Sequence, residues 1–230
     1  GNVIYRPVHE LTDIRWKDIG EHLSQTITNF ATDECVLYAE IVDEFGPQTY
    51  FAATKLGQIK RFERKEISPW RTYKSKAVKY AKLKNDDDMI VTISPIALDD
   101  VMVITHNGYA LHFNIDEVPV VGAKAAGVKS INLKDDDFVV STFIANTESF
   151  FILTQRGSLK RMSTDLIPAT SRANRGLQVL RELKSKPHRV FMAGAVHASN
   201  DVQNIDLFSV EPLDSDKIET LEVYSNKGNI

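Results

Sequence analysis

The stretch "FFILTQRGSLKRM", residues 150–162, decides how this chain folds: a near-continuous apolar run, a glycine turn, then a short basic run. The same order recurs in "YFAATKLGQIKRF", which ends at Phe62, and in "MVITHNGYALHF", which ends at Phe113. The chain begins "GNVIYR" and finishes "LEVYSNKGNI", two partial versions of the same unit. Short apolar runs bounded by turn signals predict strands covered on both faces. The glycine supplies the positive φ that a tight hairpin needs. After it, "QIKRFERKEI" alternates, so Ile59, Arg61 and Glu63 oppose Lys60, Phe62 and Arg64, and one face of that strand is expected to be solvated.

Working outward, three landmarks repeat in a constant order. The glycine turn stands at Gly57, Gly108 and Gly157, and a proline at Pro69, Pro119 and Pro168. Eight residues after each proline comes Ala77, Gly127 or Gly176. An acidic or polar turn then opens another apolar run, in "NDDDMIVTISPI", "KDDDFVVSTFIA" and "SKPHRVFMAGAV". A period near fifty residues with several short strands per copy predicts an all-β, propeller-like array of four-stranded blades. The chain is expected to be one repeat domain over 1–230, with blades over 1–48, 49–100, 101–149 and 150–204 and a partial one over 205–230. "QNIDLFSVEPLDSDK" interrupts the spacing as an insertion or variant outer strand. The two chain ends are either cut points of a longer domain or halves that meet to close a ring. Residues 13–27 and 175–184 carry helical spacing, but their alignment with strand positions in sister repeats predicts loop and strand.

Composition bounds the rest. With 43% hydrophobic and 26% charged residues, the 230-residue chain has ordinary globular character. Its apolar runs are too short to span a bilayer and nothing resembles a signal peptide, so a cytoplasmic location without membrane contact is expected. Cys35, the single cysteine, is expected to be a small apolar side chain in a strand. The runs Asp86–Asp88 and Asp135–Asp137 fall where "ATDE" and "SKPH" stand in other copies, which predicts a polar turn and not a metal ligand set. The six histidines lack metal-ligand spacing, and no phosphate-binding glycine loop or nucleophile elbow is present. No cofactor is expected, and the chain is not expected to be an enzyme by itself.

Charge is distributed unevenly. The overall balance is −3, yet residues 55–84 carry eleven Lys or Arg against only Glu63 and Glu66. Residues 156–189 carry nine against Asp165 and Glu182, which leaves the remainder acidic. Such segregation predicts a polyanion-binding rim on some blades and a repelling surface elsewhere. The candidate DNA-contacting residues are Lys55, Lys60, Arg61, Arg64, Lys65, Arg71, Lys74, Lys76 and Lys79 in the first cluster. Arg156, Lys160, Arg161, Arg172, Arg175 and Arg181 complete the set from the second. A protein-interaction module whose basic edge meets an acidic partner is the alternative that charge alone leaves open.

The T-x-x-G-x-x-K-R hairpin, the loop "PVVGAKAAGVKSINLKDDDFVV" and the fifty-residue period resemble one family over the whole chain. It is the C-terminal β-pinwheel of the A-type subunit of type IIA DNA topoisomerases, shared by DNA gyrase and topoisomerase IV. "VGAKAAGVKSINL" is most similar to the Gram-positive topoisomerase IV branch. The gyrase version of the post-proline loop carries a box of the form QRRGGKG. The nearest loop here, "TSRANRG", matches it at Arg172, Arg175 and Gly176 alone. The resemblance implies a noncatalytic module that binds and bends double-stranded DNA. It would present the duplex to the catalytic core of the same polypeptide, which works with a separate ATPase subunit.

Overall fold

In the computed structural model, the described residues are all except 29, 31–33, 42–45, 68–76, 87, 97–98, 135, 184 and 197–230. Residues 205–230, and with them the question of ring closure, lie outside the described part.

Each repeat opens on a hairpin. β2 (Thr49–Thr54) turns into β3 (Gln58–Glu63), β6 (Asp100–Thr105) into β7 (Tyr109–Asn114), and β10 (Ser149–Thr154) into β11 (Leu159–Ser163). The Thr and Gly of each turn have defined work. Thr54, Thr105 and Thr154 accept the backbone N–H of Gln58, Tyr109 and Ser158 on their Oγ1 atoms, all at 3.1 Å. Gly57, Gly108 and Gly157 take φ of 76°, 84° and 78°, which other residues reach only with strain.

A third strand pairs with the other side of each first strand: β5 (Ile90–Pro95) with β2, β9 (Val139–Ile144) with β6, and β13 (Val190–Val196) with β10. The turn before it uses the last aspartate of each triple run. Asp88 Oδ1 accepts from Leu56 N (2.9 Å) and Met89 N (3.0 Å). Asp137 Oδ1 accepts in the same way from Asn107 N and Phe138 N. These carboxylates tie the turn to the preceding hairpin.

The fourth strand corrects the expectation that one repeat makes one blade. β8 (Val128–Lys129), from the second whole repeat, pairs with β3 of the first, giving the sheet order β5-β2-β3-β8. β12 (Leu177–Gln178) likewise leaves the third repeat to pair with β7. β4 (Val78–Lys79) pairs with β1 (Asn2–Val3) in the same register. The two four-stranded blades therefore take their outer strand from the repeat that follows. Gly127 and Gly176 permit the crossing: a Cβ on either would stand 2.3 Å from the carbonyl oxygen of Ile59 or Ala110.

The cores lie between blades. Tyr50 and Ala52 of β2 pack with Phe62 and Tyr80 on one side, while Phe51 and Ala53 pack on the other with Val101, Val103 and Phe113. Met102 and Ile104 repeat this against Phe150 and Ile152. Both faces of β2 and β6 are thus covered, which is why these strands read as continuous apolar runs. Residues 13–27 form no strand; Leu23–Gln25 is a short 3₁₀ turn. Cys35 is exposed and outside any strand, contrary to expectation, because the segment around it does not join a blade.

Candidate nucleic-acid interface

Equivalent positions on β3, β7 and β11 hold Lys60, Leu111 and Lys160, followed by Arg61, His112 and Arg161. The structure gives these positions different environments. Lys60 is 1% exposed, and its ammonium donates to Gly122 O (3.1 Å) and Ala125 O (3.3 Å) of the next repeat's loop. Burial pushes its pKa down to about 8, opposed by the negative charge of Glu66. The predicted solvated face of β3 is therefore covered, and Lys60 as folded offers no surface to a phosphate. Its sister Leu111 was the sequence signal for a core position.

Arg61 is also committed. Its Nε donates to Val118 O (2.7 Å) and its Nη1 lies 3.2 Å from Asp116 Oδ1. His112 makes the corresponding bond one junction later, with Nδ1 2.8 Å from Ile167 O and Nε2 3.1 Å from Asp100 Oδ2. These side chains latch each blade to the 3₁₀ turn of the next. Histidine spacing alone concealed His112; its place one repeat after Arg61 is the signal that identifies it.

The post-proline loop of the third repeat behaves similarly. Arg172 donates through Nε to Glu117 O and through Nη1 to Lys129 O, both at 3.0 Å. Arg175 stacks its guanidinium 4.0 Å from the Tyr109 ring centroid. Both arginines dock their own loop on the preceding blade. Lys55 is half-buried, with its ammonium 4.9 Å from the Phe138 ring centroid. Arg64 is half-buried beside β3, and Lys65 pairs with Glu63, whose hydrogen bond and charge raise the lysine pKa. Arg71, Lys74 and Lys76 lie outside the described residues.

Most of the candidate cations that stay exposed lie on the third repeat. Arg156, Lys160, Arg161 and Arg181 are all exposed, as is Lys79 on β4. Lys160 Nζ donates to Val179 O (3.1 Å), which holds β11 close to the segment bearing Arg181. Arg161 Nε donates to Ser149 Oγ (2.9 Å), and Arg156 Nη1 to Lys186 O (3.2 Å). Arg156, Lys160, Arg161 and Arg181 thus bring guanidinium and ammonium groups, the chemistry that phosphate contacts require, to exposed positions. Lys60 and Lys160 differ because the first lies under the next repeat's loop, whereas no described segment covers the second.

The repeats that build these junctions are shared with known proteins. The family model of the DNA gyrase C-terminal domain, a β-propeller, matches residues 48–97, 99–146 and 148–191. The chain is 68% identical over its whole length to the A-type subunit of DNA topoisomerase 4 from Streptococcus pneumoniae serotype 4. It is 61% identical over 99% of its length to the same protein of Streptococcus pyogenes serotype M3. The chain spans 28% of the length of each of these relatives. A crystal structure of the C-terminal domain of DNA topoisomerase IV superposes with a TM-score of 0.80 at 39% identity, over 86% of this chain and 62% of that one. Among the described residues, no helix is long and apolar enough to cross a membrane. With three segments matched in order over most of the described blades, the chain belongs to the family of the DNA gyrase C-terminal β-propeller domain.

Proposed function

We propose that this chain is the DNA-engaging, noncatalytic part of the A-type subunit of a topoisomerase IV. It holds duplex DNA along its exposed cations and presents it, bent, to a cleavage core elsewhere in the same polypeptide, which acts with a separate ATPase subunit. One observation carries this reading: the exposed group Arg156, Lys160, Arg161 and Arg181 on an otherwise acidic chain. The kinship with topoisomerase IV proteins supports it.

The physical demands fit that use. Exposed Lys and Arg side chains meet phosphates whatever the base sequence, so binding is general and salt-dependent. Bending a site of 20–30 base pairs costs on the order of 1–6 kcal/mol, which several phosphate contacts offset. Fluorescence titration of a labelled duplex over a salt series tests the reading. With about six phosphates neutralised, log K falls against log salt with a slope near −5. A chain that shows no affinity for duplex at low salt would remove it.

A further inference from the structure

We propose, resting on the DNA-engaging reading, that the turn into β13 makes a further phosphate contact through Lys186 and His188 beside Arg156. The turns into β5, β9 and β13 occupy the same place in their blades, since Ile90, Val139 and Val190 pair with Thr54, Thr105 and Thr154. Two residues before these strand residues stand Asp88, Asp137 and His188. Two residues after the threonines stand Leu56, Asn107 and Arg156.

In the first two turns the aspartate accepts from the backbone N–H of Leu56 or Asn107, and from that of Met89 or Phe138. The third turn closes without a carboxylate. Gln155 Oε1 accepts from the backbone N–H of Arg189, the counterpart of Met89 and Phe138, and Gln155 Nε2 donates to Pro187 O at 3.0 Å. His188 is thereby freed from capping. The run of three aspartates in the sister turns becomes Lys186, Pro187 and His188 here, so the turn keeps its closure and changes the sign of its charge.

These side chains meet at Arg156. Its Nη1 donates to Lys186 O at 3.2 Å and lies 3.3 Å from His188 Nε2. With Nε2 accepting, the proton of a neutral His188 ring stands on Nδ1, a second donor beside the guanidinium. Lys186 takes a φ of 52°, a left-handed backbone that glycine adopts more readily, so a lysine is held there against local preference.

The turn faces water by its place in the blade. Asp86 and Asp136 in the matching turns are exposed, although Val139 N and Val190 N of the following repeats bond to Lys55 O and His106 O close by. Glu182 Oε1 lies 3.7 Å from Arg189 Nη2 and offsets that charge, which leaves Arg156, Lys186 and His188 as the contacting set. Donors on three side chains, with no Asp or Glu between residues 185 and 189, suit a phosphate diester. Arg156 belongs both to this turn and to the exposed group with Lys160, Arg161 and Arg181.

Fluorescence titration of a labelled duplex at two salt concentrations, with urea unfolding of the same proteins, tests this. His188→Asp installs the cap of the sister turns, so the unfolding midpoint should hold or rise while duplex affinity falls at least about threefold. Lys186→Gly relieves the left-handed backbone, so it too should gain stability yet lose affinity, with the salt slope reduced by roughly one. Lys134→Gly removes the same charge from the second repeat's turn and should change affinity less. Unchanged affinity in either third-turn variant, or equal losses for Lys134→Gly and Lys186→Gly, would overturn the turn contact and leave the DNA-engaging reading standing. Absence of duplex binding by the wild type at low salt would remove both.

Discussion

The ammonium of Lys60 lies 3.1 Å from the carbonyl oxygen of Gly122, sealed between one blade and the loop of the next repeat. A lysine that reads as part of a basic rim is instead an interblade tie. Because burial holds its pKa at about 8 against an ordinary 10.5, the unfolded chain binds more protons than the folded one between those values. Stability should therefore rise as pH increases through that window, with the burial penalty fully expressed below it. Urea unfolding of wild type and Lys60→Met at two pH values inside the window checks this. The wild type should gain stability with pH, and the variant should lose that dependence.

If Lys60 is structural and Lys160 is not, charge reversal separates them. Lys160→Glu combined with Arg181→Glu should lower duplex affinity at least about tenfold and reduce the salt slope by roughly one to two, with little change in unfolding midpoint. Lys60→Glu should instead destabilise the fold by about 3–5 kcal/mol, since it buries an anion against carbonyl oxygens. Duplex titration and urea unfolding of the same proteins give both answers.

The crossing glycines make a sharper structural test. At Gly127, φ is 94° and a Cβ would stand 2.3 Å from Ile59 O, so Gly127→Ala should cost well beyond the roughly 1–2 kcal/mol of left-handed backbone strain. At Gly157, φ is 78° but a Cβ meets nothing within 4 Å, so Gly157→Ala should cost only that strain. Thermal or urea unfolding of both variants gives the comparison, and equal losses would contradict the strand-exchange geometry.

His112 occupies the latch position of Arg61. His112→Ala removes the donor to Ile167 O and leaves Asp100 without its imidazole neighbour, a loss of about 1–3 kcal/mol. His112→Arg should recover part of it by copying the Arg61 arrangement. Limited proteolysis should show the third repeat opening first in the alanine variant.

Asp137 gathers two backbone N–H groups at the turn into β9. Asp137→Ala should destabilise by about 1–3 kcal/mol through these orphaned donors, and Asp136→Ala, which removes an exposed carboxylate, should stay within about 0.5 kcal/mol. Urea unfolding distinguishes a turn cap from a general acidic cluster.

The amino-acid sequence by itself determined the repeat, its strands and its turns. Those features rest on local rules: alternation and apolar runs for strands, a threonine and a left-handed glycine for each hairpin, an aspartate for the turn that follows. Family membership was legible for the same reason, since the hairpin and post-proline loops carry their spacing along the chain. Tertiary structure decided which cations face water. Lys60 and Lys160 follow their hairpin glycines at the same interval, yet one is buried under the Gly122–Ala125 loop and the other is exposed. The difference lies in whether a later repeat crosses back over the strand, a contact between residues more than sixty positions apart in the chain. Folding also gave Arg61, Arg172 and Arg175, candidate phosphate ligands in the sequence, contacts that tie neighbouring blades together. A side chain's partners depend on the segment packed against it, and only folding brings that segment there.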